Sequence, residues 1–135
     1  MSAVFLDASL WLEAMSPKAA RHATAYRLLA GAAATRSVIV TTPFVIAEVH
    51  SMVARRLGPA AGRRLLDEAW SPAYDVVQPD AAMIAEAIAR WVNGYADQPF
   101  SLCDAVSFEV MRVKRIAQAL TFDHHFATAG FAIVR

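Results

Sequence analysis

Cysteine is almost absent from this chain, which has 135 residues and a single cysteine, Cys103. One cysteine excludes an intramolecular disulfide framework and the cysteine-rich types of zinc site, and it is typical of a protein in a reducing cytoplasm. The residues before Asp7 include no basic residue and only a few apolar ones, so they predict neither a signal peptide nor a membrane-spanning helix. We therefore expect a cytoplasmic protein without a membrane segment.

Low-complexity sequence and an excess of either charge are also lacking. The 13 basic and 12 acidic residues give +1 at pH 7, which by itself points to no class of partner. Hydrophobic residues make up 57% of the chain, which predicts a helix-rich globular protein rather than a disordered one. Because the length is that of one domain and no linker interrupts it, we expect a single domain over residues 1–135.

Strand-like and helix-like segments alternate along the chain. Short apolar runs predict five strands, at residues 3–6, 37–41, 74–78, 117–121 and 131–134. Helical patterns lie between them, at residues 9–15, 18–33, 43–57, 60–70, 80–93, 102–114 and, as a single turn, 124–129. In the helix of residues 80–93, the spacing places Ile88 and Trp91 on the buried face. The alternation predicts an α/β fold, a central parallel sheet of about five strands with helices on both faces.

Four acidic residues lie where such a sheet binds ligands, beyond the carboxyl ends of its strands. Asp7 ends the first strand and Asp123 follows the fourth, while Glu48 and Asp104 lie in the opening turns of helices. If the four acids converge, their mutual repulsion requires a cation. Oxygen ligands without further cysteine or paired histidine indicate Mg²⁺ or Mn²⁺ rather than zinc.

Each acid also has a purely structural interpretation. Glu48 lies four residues from Phe44 and from Met52, on a helix stripe that should be apolar, where it could pair with a buried arginine. Ser101 and Asp104 have the spacing of a capping box, which explains that acid without any chemistry. The two acids at strand ends could likewise cap the helical turns that follow them.

Four segments, taken in order, resemble motifs of the PIN-domain ribonucleases, and in particular of the VapC-type toxins of toxin–antitoxin modules. They read FLDAS at residues 5–9, TPFVIAE at 42–48, SLCDA at 101–105 and TFDHHF at 121–126. The resemblance covers essentially the whole chain. It implies a PIN-like domain that hydrolyses RNA phosphodiester bonds as an endoribonuclease dependent on Mg²⁺ or Mn²⁺. It also implies a cognate antitoxin protein that blocks the site, and commonly a homodimer.

The resemblance assigns roles to individual residues. The catalytic positions fall on four acids: Asp7, Glu48, Asp104 and Asp123. Asp7 and Asp104 are expected as inner-shell metal ligands, with Glu48 and Asp123 in the inner or outer shell. Supporting roles are expected for three hydroxyl residues: Ser9, Ser101 and Thr121.

The chain departs from the family pattern at two positions. Cys103 stands where relatives usually have threonine, so a hydroxyl hydrogen bond is weakened or lost. His125 stands where some relatives have a further acid, which leaves open whether one metal ion or two bind. His125, for a phosphate or indirect metal contact, and Asp97, in the loop before Ser101, are possible accessory residues.

Two other classes of function are compatible with a small parallel sheet. A receiver-type signalling domain needs a pair of acids near its first strand and a lysine after its last strands. This chain offers only Asp7, and its last lysine, Lys114, precedes the fourth strand, so that class is disfavoured. A PIN-like module that binds RNA or protein without cleaving stays an alternative, although all four acids are present. Arginine clusters at residues 55–56 and 63–64 are more often solvated surfaces than RNA or antitoxin contacts.

Overall fold

The central sheet has five strands, all parallel, in the order β3-β2-β1-β4-β5. The structure is a computed structural model that describes residues 2–135. The strands are β1 Ala3–Leu6, β2 Val38–Thr41, β3 Asp75–Val76, β4 Gln118–Leu120 and β5 Ala132–Ile133. Each overlaps a predicted strand, so the predicted α/β fold with a parallel sheet of five strands is confirmed.

Seven α-helices connect these strands within the part of the chain that the structure describes. They are α1 Ala8–Met15, α2 His22–Ala34, α3 Pro43–Leu57, α4 Pro59–Ala69, α5 Ala81–Ala87, α6 Leu102–Lys114 and α7 His125–Thr128. A π-helical turn, Ile88–Asn93, continues α5. Among residues 2–135, no helix is long and hydrophobic enough to span a lipid bilayer.

The strand order reverses at β1, and this reversal positions the site. The chain adds β2 and β3 on one side of β1, then returns to add β4 and β5 on the other. Connections between parallel strands are nearly always right-handed. Because the chain adds strands in opposite directions from β1, such connections place helices on both faces of the sheet. Leu6 of β1 pairs with Leu120 of β4, so the residues that follow these strands, Asp7 and Thr121, emerge side by side. A crevice at such a switch point is where parallel sheets bind ligands.

Strand β1 and helix α6 form the centre of the hydrophobic core. Phe5 and Leu6 have no exposed surface, and every residue of α6 from Ala105 to Met111 is buried. Phe108 on α6 packs edge-to-face against Phe126 on α7, with ring centroids 4.9 Å apart. A helix buried for two turns cannot shift relative to the sheet without opening cavities, so α6 holds its first turn in a fixed position.

Two helices differ from their predicted form. The predicted start of α2 at residue 18 is wrong, because residues 16–21 form consecutive turns: Ala19 N donates to Ser16 O, and His22 N donates to Ala19 O. The predicted regular helix at residues 80–93 is wrong in its second half, where the backbone widens into the π-helical turn. The extra residue in that turn changes the helical phase, so Ile88 is exposed while Trp91 is buried.

Glu109, on α6, is a buried acid that the sequence did not single out. Its side chain is 2% exposed, and it accepts hydrogen bonds from Trp91 Nε1 at 3.1 Å and from Arg112 Nη2 at 2.6 Å. Burial alone raises the pKa of Glu109, but the hydrogen bonds from Arg112 and Trp91 outweigh burial and hold the pKa below its usual range. The carboxylate therefore ties the π-helical turn to α6.

Replacing Glu109 with Leu should lower the free energy of unfolding by about 2–3 kcal/mol, because the buried Trp91 indole N–H loses its acceptor. Urea denaturation at pH 7 measures the change. Glu86→Gln is the matched control, since its ion pair with Arg90 is on the surface and should contribute less than about 0.5 kcal/mol. Equal losses in the two variants would contradict this assignment.

Candidate functional site

Asp7 lies buried at the carboxyl end of β1 and caps α1. One of its oxygens, Oδ2, accepts hydrogen bonds from Thr121 Oγ1 at 2.8 Å, Ser9 Oγ at 2.9 Å and Ser9 N at 3.4 Å. These three hydrogen bonds all fall on Oδ2.

The two hydroxyls that hold Asp7 also hold the loop after β4. Ser9 Oγ lies 3.1 Å from Thr121 Oγ1 and accepts from Phe122 N at 2.9 Å. Thr121 Oγ1 in turn accepts from Asp123 N at 2.9 Å. Two of the three predicted supporting hydroxyls, those of Ser9 and Thr121, therefore contact Asp7, and they connect the first predicted acid to the fourth.

Burial makes the charge on Asp7 costly. Burial is the main reason that the pKa of Asp7 rises from 3.8 to about 6, and the nearby charge of Asp104 raises it further. The hydrogen bonds from Thr121 and Ser9 oppose the rise but only partly offset it. The ionised form of Asp7 is therefore disfavoured near neutral pH, and a cation that enters the site would stabilise it.

Asp104 and Asp123 meet at the ring of His125. Asp104 forms the predicted capping box: its N–H donates to Ser101 Oγ at 3.0 Å, and its Oδ2 accepts from Ser101 N at 3.2 Å. Asp123 Oδ1 accepts from His125 N at 2.9 Å. His125 Nδ1 lies 3.3 Å from Asp104 Oδ2 and 3.4 Å from Asp123 Oδ1. The sequence predicted only an accessory position for this histidine, and the structure places it between two of the acids.

Glu48 is exposed, and the prediction that it lies on an apolar stripe is wrong. The buried face of α3 is formed by Val45, Ile46, Val49 and Val53, which leaves Glu48 at the edge of that face. Cys103, on α6, is half-buried. Burial, and then the charges of Glu48, Asp7 and Asp104, raise the pKa of the Cys103 thiol above its usual range. The thiol is therefore neutral and adds no charge to the three acids that act on it.

A cleft of about 430 Å³ opens beside these acids. Its lining includes Asp7, Ser9, Glu48 and Asp123, whereas Asp104 and His125 are not among the lining residues. Asp97 is exposed in the loop before α6 and is not part of the lining, so the structure gives this predicted accessory residue no contact with the cleft.

Three charged residues of the cleft lining were not predicted as site residues: Glu13, Arg21 and Arg56, the last from an arginine cluster for which a solvated surface was favoured. Arg56 lies eight residues after Glu48 on the same helix, a spacing from which its position could have been predicted. Glu13 lies four residues after Ser9 on α1, so the same helical spacing applies to it, whereas Arg21 carries no such signal because it lies in the turns between α1 and α2.

The donor atoms of this site fit a hard divalent cation. One ligand atom each from Asp104, Asp123 and His125 lie within 4.8 Å of one another, and among the described residues Asp7 and Glu48 are not part of this group. Carboxylate oxygens with a single imidazole suit Mg²⁺ or Mn²⁺, whereas structural zinc sites use several cysteines or histidines.

The sequence matches the PIN domain over residues 4–132. It is 33% identical over 132 residues to the "23S rRNA-specific endonuclease VapC20" of Mycobacterium tuberculosis, covering 98% of each chain. It is also 34% identical over 90 residues to "Ribonuclease VapC26" of the same organism, covering 66% of each chain.

Solved structures share the fold. The crystal structure of M. tuberculosis VapC20, described as a sarcin–ricin loop cleaving toxin, superposes with a TM-score of 0.88 at 32% identity, covering 98% of this chain and 99% of that one. VapBC2 of Rickettsia felis, bound to a promoter DNA fragment, gives a TM-score of 0.73 at 12% identity, covering 98% and 97%. At that identity the second likeness shows the fold alone.

Replacing Asp7 with Asn should stabilise the metal-free protein at neutral pH. The folded state holds the Asp7 proton more tightly than the unfolded chain, so wild-type protein loses stability as the pH rises from about 4 to about 6. The variant has no ionisable group at this position, so its free energy of unfolding should increase relative to that of wild type by about 3 kcal/mol across that range. Urea denaturation in EDTA at a series of pH values measures it.

Asp67→Asn, at an exposed position of α4, is the control and should show no such pH-dependent gain. A constant difference between Asp7→Asn and wild type from pH 4 to pH 8 would contradict the prediction.

Proposed function

The chain belongs to the PIN domain family, and we propose that it is an endoribonuclease that hydrolyses RNA phosphodiester bonds with a divalent metal ion, as the toxin of a toxin–antitoxin pair. One observation carries the proposal. Asp104 and Asp123 approach each other at His125, the charge of Asp104 acts on Asp7, and Asp7, Asp123 and Glu48 line one cleft. The named activities of the two mycobacterial relatives support it.

We propose that the ion is Mg²⁺ or Mn²⁺, held by Asp7 and Asp104 and, directly or through water, by Glu48 and Asp123. When bound, such an ion neutralises phosphate charge and lowers the pKa of water. Ser9 and Thr121 fix the orientation of Asp7 through its Oδ2.

The remaining side chains of the site position water and the acids. Glu48 is exposed at the cleft wall, where it can accept the proton of an attacking water molecule. His125 Nδ1, between Asp104 and Asp123, keeps these two carboxylates at a fixed separation. The neutral Cys103 thiol, whose pKa is raised by burial and by the charge of Glu48, takes the place of the usual hydroxyl.

The partners follow from the same proposal. We propose RNA as the substrate, a cognate antitoxin that covers the cleft, a homodimer, and a cytoplasmic location where RNA is available. We also propose that residues 1–135 act as one PIN-like domain. The solved VapBC2 assembly, which shares this fold, is consistent with a toxin that pairs with an antitoxin.

Replacing Asp104 with Asn should reduce RNA cleavage by at least about 100-fold, because the site loses a charged ligand while Asn keeps an acceptor for the Ser101 N–H. Total cellular RNA incubated with purified protein and Mg²⁺ or Mn²⁺, with and without EDTA, is the measurement. The control Asp67→Asn should cleave as wild type does.

The metal should also stabilise the fold. Mg²⁺ or Mn²⁺ should raise the Tm of wild-type protein and of Asp67→Asn, but not that of Asp104→Asn, because ligands that bind only the folded state stabilise it. Metal-induced stabilisation of wild type without cleavage of any RNA would instead identify a binding module that has lost catalysis. Full cleavage by Asp104→Asn would remove this residue from the catalytic set.

A further inference from the structure

The cleft that holds the acids has two arginines in its walls, Arg21 and Arg56. Arg21 lies immediately before α2 and Arg56 in the last turn of α3. A cleft with carboxylates at one place and guanidinium groups at others suits a polyanion. The carboxylates need a cation to approach a phosphate, whereas a guanidinium group binds phosphate directly.

Arg21 is held in place from two sides. Its Nη2 lies 2.7 Å from Glu13 Oε2, and its backbone N–H donates to Glu13 Oε1 at 3.3 Å. Its guanidinium carbon lies 4.1 Å from the ring centroid of Phe122, the residue between Thr121 and Asp123 of the site. A stacked and ion-paired guanidinium loses little conformational freedom when it binds a ligand.

The side chain of Arg21 nevertheless stays available. It is 55% exposed, whereas that of Glu13 is 15% exposed. A guanidinium group has five donors, and the contact with Glu13 Oε2 engages one nitrogen. The remaining donors can therefore face an anion in the cleft while the ion pair persists.

Arg56 extends the cleft along α3. Glu48, Met52 and Arg56 all line the cleft and are spaced four residues apart, so they form one stripe on the helix. Arg56 lies roughly 12 Å from Glu48 along the helix axis. Arg55, in the same helical turn, is also exposed but does not line the cleft, which makes it a matched control.

We propose that Arg21 and Arg56 are substrate-positioning residues that bind phosphates of the RNA strand adjacent to the phosphate that is cleaved. This inference rests on the proposed ribonuclease function. It defines a path for the strand, from the acids between α1 and α3 toward the end of α3. Such contacts bind phosphate without reading base identity, so they should act on RNA of any sequence.

Binding is measured in EDTA in the Asp104→Asn background, so that the RNA stays intact and no variant differs in metal occupancy, with a short fluorescein-labelled single-stranded RNA of mixed sequence. Added Arg21→Gln or Arg56→Gln should each weaken affinity about tenfold. Each substitution should also make the slope of log K against the logarithm of salt concentration shallower by about 0.7, which is the value for one phosphate contact on a single strand. Arg55→Gln should leave affinity and salt dependence unchanged.

Glu13→Gln separates phosphate binding from a structural ion pair. If Arg21 binds phosphate, this variant should bind RNA as tightly as its parent or more tightly, because a nearby negative charge is removed. Equal losses of affinity in Arg21→Gln and Glu13→Gln would overturn the assignment of Arg21. In the cleaving protein, KM should rise for Arg21→Gln and Arg56→Gln while kcat changes little.

The outcomes distinguish this inference from the proposed function. If wild type cleaves RNA and both arginine variants bind RNA as their parent does, the positioning role is overturned and the nuclease function stands. The same holds if the variants lose only antitoxin binding, which would make the arginines a protein contact. If wild type cleaves no RNA, the proposed function itself fails.

Discussion

A carboxylate buried at the end of the central strand is the constraint on which the cleft depends. Asp7 can stay there only because two hydroxyls from different parts of the chain, Ser9 and Thr121, donate to one of its oxygens. The same hydroxyls accept from the backbone of Phe122 and Asp123, so satisfying Asp7 also fixes the loop after β4. Burial still raises its pKa to about 6, so a positive charge placed near Asp7 would stabilise its ionised form.

The structural and chemical interpretations of the acids are compatible rather than exclusive. Asp104 completes a capping box with Ser101, Asp123 accepts from the N–H of His125, and Asp7 caps α1. Each cap fixes one carboxylate oxygen against the backbone. Local hydrogen bonds thus orient each acid before any ligand binds, which limits the reorganisation needed to form the site.

Two positions show how the family pattern is adapted in this chain. At Cys103, burial and the charges of the surrounding acids raise the pKa of the thiol, so this residue adds no negative charge to the site. His125 adds an imidazole between Asp104 and Asp123 where a further carboxylate would increase their repulsion. The site therefore carries less negative charge than one with an additional acid, and a single cation can neutralise a larger share of it.

The sequence by itself determined the α/β order of elements, the strands within one or two residues, the caps at Asp7 and Ser101, and the acids at strand ends. These follow from signals confined to a few neighbouring residues, namely apolar runs, helix periodicity and capping spacing. Only the tertiary structure decided that Glu48 is exposed, that His125 lies between two acids, and that Glu109 anchors the π-helical turn. Those outcomes depend on how elements far apart in sequence pack around the switch point, and no local pattern encodes that packing.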